Sequence, residues 1–161
     1  MLFARTHLAF AASVGVGQFA MTYRTPPSFP VLVTAFGGEV HGIDPASGRT
    51  LWSHQGKKRG DAHAARVVVL GGTVYAGPID GELHLLEYTT GRLLRSTKIP
   101  HSTGGTVMTV DGQIYFAGNA MIDCFALDGE LLWSARFDAD NNARGVSLAV
   151  PGYSVQGDLR S

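Results

Sequence analysis

The feature that most limits the folds open to this chain is a motif written three times. Val40-His41-Gly42-Ile43-Asp44-Pro45-Ala46-Ser47-Gly48-Arg49-Thr50-Leu51-Trp52-Ser53 returns as Leu83-His84-Leu85-Leu86-Glu87-Tyr88-Thr89-Thr90-Gly91-Arg92-Leu93-Leu94-Arg95-Ser96. It returns again, with a shorter turn, as Cys124-Phe125-Ala126-Leu127-Asp128-Gly129-Glu130-Leu131-Leu132-Trp133-Ser134. Gly48, Gly91 and Gly129 are the equivalent glycines, so the copies stand 43 and 38 residues apart. Self-similarity at such a period marks an array of supersecondary units, each needing its neighbours to bury its apolar faces. Within each copy, alternation at period 2 predicts two strands. Asp44, Glu87 and Asp128 close the first strand, and the glycine that follows supplies the positive φ of a hairpin turn.

Two more apolar runs precede each later copy. They span 66–70 and 73–76, split by Gly71-Gly72, and 106–110 and 113–117, split by Asp111-Gly112. Asp-Gly between apolar runs is among the strongest hairpin signals. Each unit is therefore four short antiparallel strands in about 40 residues, the signature of a β-propeller blade. No window sustains the i, i+3, i+4 pattern of a helix without a Gly or Pro breaking it. Composition agrees: 21 of 161 residues are glycine, about 13% against a usual share of about 7%, as a chain of many tight turns requires. The predicted fold class is all-β, with β-propeller blades of four-stranded antiparallel sheets: three full repeats plus partial ones. The blades are placed at 31–56, 66–99 and 105–137, with a partial copy at 145–158 and a separate segment over 1–30.

Charge and cysteine remove several function classes. Thirteen Lys and Arg balance thirteen Asp and Glu, so the net charge is zero. A nucleic-acid binder draws affinity from a basic excess that is missing here, and no nucleic-acid partner is expected. The run Lys57-Lys58-Arg59 reads as a solvated loop. The single cysteine, Cys124, excludes an intrachain disulfide or a multi-cysteine metal centre and reads as a buried thiol. No stretch of 18 or more unbroken apolar residues exists, so no transmembrane segment is expected. Arg5 followed by the interrupted apolar stretch 8–20 has the outline of a signal peptide without a clean cleavage site; near-alternation of Val14, Val16 and Phe19 reads equally as a strand.

The pattern of an acid, a short turn, Gly, Arg or Glu, two aliphatic residues and Trp resembles the pyrroloquinoline-quinone-like (PQQ-like) propeller repeat. That repeat occurs in quinoprotein alcohol dehydrogenases and in the outer-membrane assembly lipoprotein of the barrel-insertion machinery. The resemblance covers about 31–158 and is best at Asp44, Gly48, Leu51 and Trp52, and at Asp128, Gly129, Leu132 and Trp133. Glu87 and Gly91 match in the middle copy, where Arg95 replaces the Trp. A large flat side chain late in each blade can wedge against the next blade, burying some 150–250 Å²; the Arg95 stem can cover the same surface. Dehydrogenases of this kind commonly carry adjacent cysteines, calcium and a catalytic aspartate beside the quinone. No position here accepts that site, so the resemblance implies the fold and not the chemistry. No cofactor is expected; PQQ with calcium enters only under the alternative that the chain is part of a quinoprotein dehydrogenase oxidising an alcohol or sugar.

Propellers close with roughly four to eight blades, more than this sequence holds. Three readings follow: the chain is a fragment of a longer propeller, two copies pair into one ring as a homodimer with the first blade of one beside the last of the other, or the structure is small or open with an atypical N-terminal cover. Pro26, Pro27 and Pro30 suggest an edge where pairing stops. Function in repeat folds concentrates on loops, and the connections 55–65, 100–105 and 138–145 share one face with the turns at 37–38, 80–81 and 118–120. Candidate binding residues on that face are Lys57, Asp61, His63, His101, Asp138 and Asp140. Asp138-Ala139-Asp140-Asn141-Asn142 alternates oxygen ligands like a Ca²⁺ loop but has Ala143 and Ala149 where such a loop needs Gly and Glu. His54, His63 and His101 lack metal-ligand spacing, and Gly15-Val16-Gly17-Gln18-Phe19-Ala20 lacks a following helix for a dinucleotide. No catalytic residue is assigned. The expected function is a non-enzymatic propeller scaffold binding another protein through its loop face or a strand edge; the resemblance favours a periplasmic or otherwise extracytoplasmic location, with a cytoplasmic one as the alternative. A sugar or lipid in a central channel stays open.

Overall fold

A computed structural model describes residues 28–56, 65–100, 105–138 and 145–158. These residues form thirteen strands and no helix. The first sheet is β1 (Leu32–Phe36), β2 (Glu39–Ile43) and β3 (Thr50–Gln55). The second is β4 (Arg66–Leu70), β5 (Thr73–Ile79), β6 (Glu82–Glu87) and β7 (Leu93–Lys98). The third repeats it with β8 (Thr106–Val110), β9 (Gln113–Gly118), β10 (Met121–Ala126) and β11 (Leu131–Arg136). A hairpin of β12 (Gly145–Val150) and β13 (Tyr153–Asp158) follows. Every pairing is antiparallel between sequence neighbours. The sheets are successive blades of an open propeller, with β4, β8 and β12 as equivalent first strands and β1, β5, β9 and β13 as equivalent second strands. Among the described residues no sheet closes on itself.

The core lies between blades. Val40 and Trp52 of the first blade pack with Val74, Ala76, Ile79 and Leu86 of the second. Tyr75, Leu83, Leu85 and Ile99 of the second pack with Ile114, Phe116 and Phe125 of the third. Met108 and Ala117 of the third meet Leu148 of the hairpin. Alternation makes this possible: Leu83 and Leu85 on β6 face forward while Leu86 faces back. A middle strand is thus buried on both faces and reads as a continuous apolar run, whereas β7 and β11 lie at the outside and are largely exposed. Each fully buried Leu, Ile or Phe contributes about 1.5–3 kcal/mol.

The repeated turns have the geometry their glycines allow. Asp44 N–H donates to Arg49 O and Gly48 N–H to Asp44 O, both at 2.8 Å; Glu87 N–H donates to Arg92 O at 2.9 Å and Gly91 N–H to Glu87 O at 2.8 Å. Gly48 and Gly91 sit at φ +73° and +69°, where a side chain is strained. The third turn is shorter, with Gly129 at φ +86°. Just before each turn the third and fourth strands slip register, at Gly42/Ile43, Leu85/Leu86 and Cys124/Phe125.

That slip places one fourth-strand residue opposite one third-strand residue: Trp52 opposite Gly42, Arg95 opposite Leu85, Trp133 opposite Cys124. Trp52 lies between two glycines, its own Gly42 and Gly91 of the next blade; a methyl group on either would overlap the indole. Its Nε1–H donates to Tyr88 O at 3.1 Å, and only 8% of the residue is exposed. The expected Trp wedge is therefore present here. In the second blade Leu85, not the Arg95 stem, fills the place beneath the next turn, its methyls at 3.1 and 3.3 Å from where a Gly129 Cβ would stand. Arg95 is exposed and reaches over that turn, with Nη1 donating to Asp128 O at 2.9 Å and lying 3.5 Å from its carboxylate. Trp133 stands in the same register but is 45% exposed. The two tryptophans should thus respond differently in urea unfolding: Trp52→Ala is expected to cost about 3–5 kcal/mol, and Trp133→Ala about 1 kcal/mol or less.

Candidate functional site

The face expected to bind is built from the turns between second and third strands. Gly37-Gly38, Asp80-Gly81 and Asn119-Ala120 all have positive φ at both positions, the twist that short hairpins between right-twisted strands need. Ala120 adopts φ +58° without being glycine, at a cost of about 1–2 kcal/mol. Its carbonyl accepts Phe137 N–H at 2.8 Å, and Gly81 O accepts Ile99 N–H at 2.9 Å, so these two turns are tied to the ends of their own blades. Releasing the strain with Ala120→Gly should raise the urea midpoint, with a net gain of up to about 1 kcal/mol after the added freedom of the unfolded chain.

Of the candidate residues, Asp138 is exposed directly after Phe137 on this face. Lys57, Asp61, His63, His101 and Asp140 lie outside the described residues, as do Asn141 and Asn142. Asp44, Glu87 and Asp128 serve their turns. The Asp44 carboxylate accepts Ser47 Oγ–H and Ala46 N–H, and these bonds hold it below the usual carboxylate range. Thr90 and then Arg92 do the same for Glu87. Carboxylates held ionised this way are poor general acids. Cys124 is buried, and burial pushes its thiol up, so it holds no ready thiolate.

The structure does assemble a polar cluster that sequence reasoning passed over. His54 at the end of the first blade places Nε2 at 2.8 Å from Nδ1 of His84 in the second, ring edge to ring face. His84 is buried, with Nε2 at 3.4 Å from the Glu82 carboxylate. The first blade has the same pairing, His41 with Glu39 at 3.5 Å, and Gln55 Nε2–H donates to Glu39 at 2.8 Å. The third blade has Asp123 in the place of His84, fully buried and accepting Ser134 Oγ–H at 2.5 Å. The recurring Glu-x-His at 39–41 and 82–84 was the available signal. Among the described residues no three His, Cys, Asp or Glu side chains converge as a metal site.

One proton occupies the space between His54 and His84, so the pair needs a neutral imidazole. Burial, and then the neighbouring His84, lowers the His54 pKa from its ordinary 6.5. A lowered imidazole pKa means the unfolded chain binds the proton more readily than the folded one. The pair's contribution is therefore complete above pH 6.5 and is lost as pH falls below it toward the lowered folded value. The urea midpoint should drop between about pH 7.5 and 5.5, and His54→Gln should flatten that slope; an unchanged slope would assign the dependence to other groups.

Comparison with known proteins fits this geometry. The family model described as outer membrane protein assembly factor BamB matches residues 37–158. The chain belongs to the BamB family of propeller repeats. BamB from Moraxella catarrhalis superposes with a TM-score of 0.54 at 21% identity, over 68% of this chain and 38% of that one. Quinohemoprotein alcohol dehydrogenase from Comamonas testosteroni gives 0.53 at 20% identity, over 66% of this chain and 19% of that one. U3-55K gives 0.55 at 13% identity, over 69% and 37%. No curated protein matches the sequence. At these identities the structural likenesses carry the fold alone, and the chain spans well under half of each of these proteins.

Proposed function

We propose that this BamB-family chain is a non-enzymatic, protein-binding part of a propeller that acts outside the cytoplasm in outer-membrane protein assembly. The observation that carries the reading is the family match over 37–158 to an outer membrane protein assembly factor. The described side chains support it: Asp44 and Glu87 are engaged in turns, His54 and His84 in a blade contact, and Asp123 and Cys124 are buried. No helix among the described residues is long and apolar enough to cross a membrane. The binding surface in this reading is the loop face, which holds Asp80, Asn119 and Asp138; Lys57, Asp61, His63, His101 and Asp140 are its candidates from the sequence.

The reading is tested by placing photo-crosslinking side chains at Asp80 and Asn119 on the loop face and at Asp111 on the opposite face, in cells with an outer membrane. Adducts with outer-membrane assembly proteins are expected from the first two positions and not from the third. The combined variant Lys57→Ala, Asp61→Ala, His63→Ala and Asp138→Ala should keep its unfolding midpoint and lower recovery of those partners by at least about tenfold. Undiminished recovery would rule out the loop face.

A further inference from the structure

The joint between the first and second blades is fastened differently at its two ends. Away from the loop face it is held by an indole, backbone carbonyls and apolar side chains. Trp52 lies against Gly91 and donates to Tyr88 O, and the Tyr88 hydroxyl bonds the Val31 backbone. Val40, Val74, Ala76, Ile79 and Leu86 fill the space between the sheets. At the loop face the contact is between two imidazoles, His54 Nε2 and His84 Nδ1, 2.8 Å apart. Two residues further on, Gly56 rests so closely against Ile79 and the Asp80 side chain that a Cβ would overlap both. Among the described residues the imidazole pair is the hydrogen bond that joins this end of β3 to the second blade. The joint between the second and third blades lacks it. Thr97 and Asp123 stand at the positions of His54 and His84, and the Asp123 carboxylate is engaged by Ser134 of its own blade.

Acid acts on the pair in two steps. The Glu82 carboxylate is 3.4 Å from Nε2 of His84, which assigns the proton of His84 to that nitrogen and leaves Nδ1 to accept from His54 Nε2–H. One further proton can be carried while a lone pair still faces the contact. A second puts N–H groups on both sides and sets two cations against each other at hydrogen-bond distance. His84 is buried, so water screens little of that repulsion. Other charged groups surround the pair. Glu82 on β6 has Lys98 across from it on β7. Glu39 and His41 on β2 stand 3.5 Å from each other, and Asp80 lies in the turn beside Gly56. The carboxylates ease protonation, and Lys98 and a protonated His41 oppose it. None of them restores the lone pair that the second proton removes.

We propose that the His54–His84 pair is an acid-released catch: protonation of both rings frees the end of β3 from the second blade and opens the joint at the loop face, while the Trp52 seat holds as the pivot. The first blade then swings on its apolar end, and the second joint, which has no such pair, stays closed. Acid thereby changes the shape of the loop face where the first two blades meet. The inference goes beyond the partner-binding reading, and its test uses no partner, so either can fail without the other.

The test measures spin-label distances in the full chain carrying Cys124→Ser, with labels in pairs on exposed positions of the outer strands. Gln55 with Lys98 spans the first joint at the loop face, Leu51 with Leu94 spans it at the Trp52 end, and Lys98 with Arg136 spans the second joint. The His54 imidazole titrates below its ordinary 6.5, so the catch is closed above that pH and released under it. From about pH 7.5 to 5.5 the first pair should gain a longer-distance population that grows at least about fivefold. The other two pairs should keep their distances. His54→Gln keeps a donor for His84 without titrating and should abolish the change; His84→Gln should do the same, and His41→Gln should leave it intact. A first-pair distance that holds throughout would overturn the proposal, because the His54 ring would then turn out of the joint alone. A change shared by all three pairs would overturn it as loss of the fold, and one that persists in His54→Gln and His84→Gln would assign the opening to other groups.

Discussion

Everything in this fold rests on one contact: the fourth strand of a blade reaching across to the turn of the next. A four-stranded sheet alone has two apolar faces and cannot bury both. Stacking buries them, but flat faces slide, and something must fix their register. The Trp52 indole does so by entering a slot floored by Gly42 and roofed by Gly91 and by spending its only donor on Tyr88 O. The floor and the plug change together along the chain. Where the plug is Trp the floor is small, Gly42 or Cys124; where it is Arg95 the floor is Leu85, which fills the slot itself and leaves the guanidinium to hold the turn from above. Two different side-chain sets thus solve the same geometric problem.

That coupling also explains the turn glycines. Gly91 needs its positive φ for the hairpin and its missing Cβ for the indole, so two constraints meet on one residue. Gly48 answers only the first: among the described residues nothing lies within 4 Å of where its Cβ would stand. Reinforcing ties run between the same blades: the Tyr88 hydroxyl bonds Val31, and the Tyr75 hydroxyl donates to Leu127 O at 3.0 Å. The histidine pair adds a contact of another kind, polar and sensitive to protonation, at the loop-face end of the first interface.

The fold was legible because it is periodic. Three copies of an acid, a glycine and an aromatic or long side chain set the blade, and Gly71-Gly72 and Asp111-Gly112 set its hairpins without reference to anything distant. What stayed hidden depends on neighbours. Nothing in Trp52 and Trp133, each read within its own copy, separates a seated ring from a bare one; the difference lies in the blade that follows. Leu85 reads as an ordinary core residue, and only the register slip beside it shows that it takes the place of a ring. His84 lies in an apolar run and looks like a lapse in it, until the facing blade brings His54 within hydrogen-bond distance. Site residues on the connections carry no period at all, so spacing says nothing about which of them meet.

The distribution of polar side chains bears on the proposed role in protein binding. Asp44 and Glu87 are consumed by their turns, Asp123 by Ser134, His84 by His54 and Glu82, and Cys124 lies buried opposite Trp133. A reacting centre needs groups whose protonation is free to change, held close to one another and open to a substrate. Here the groups held close together are those that hold the blades, and Asp138, in the open, stands alone among the described candidates. Under the proposed reading, such a surface would offer a partner backbone edges and tight turns, which are means by which one protein recognises another.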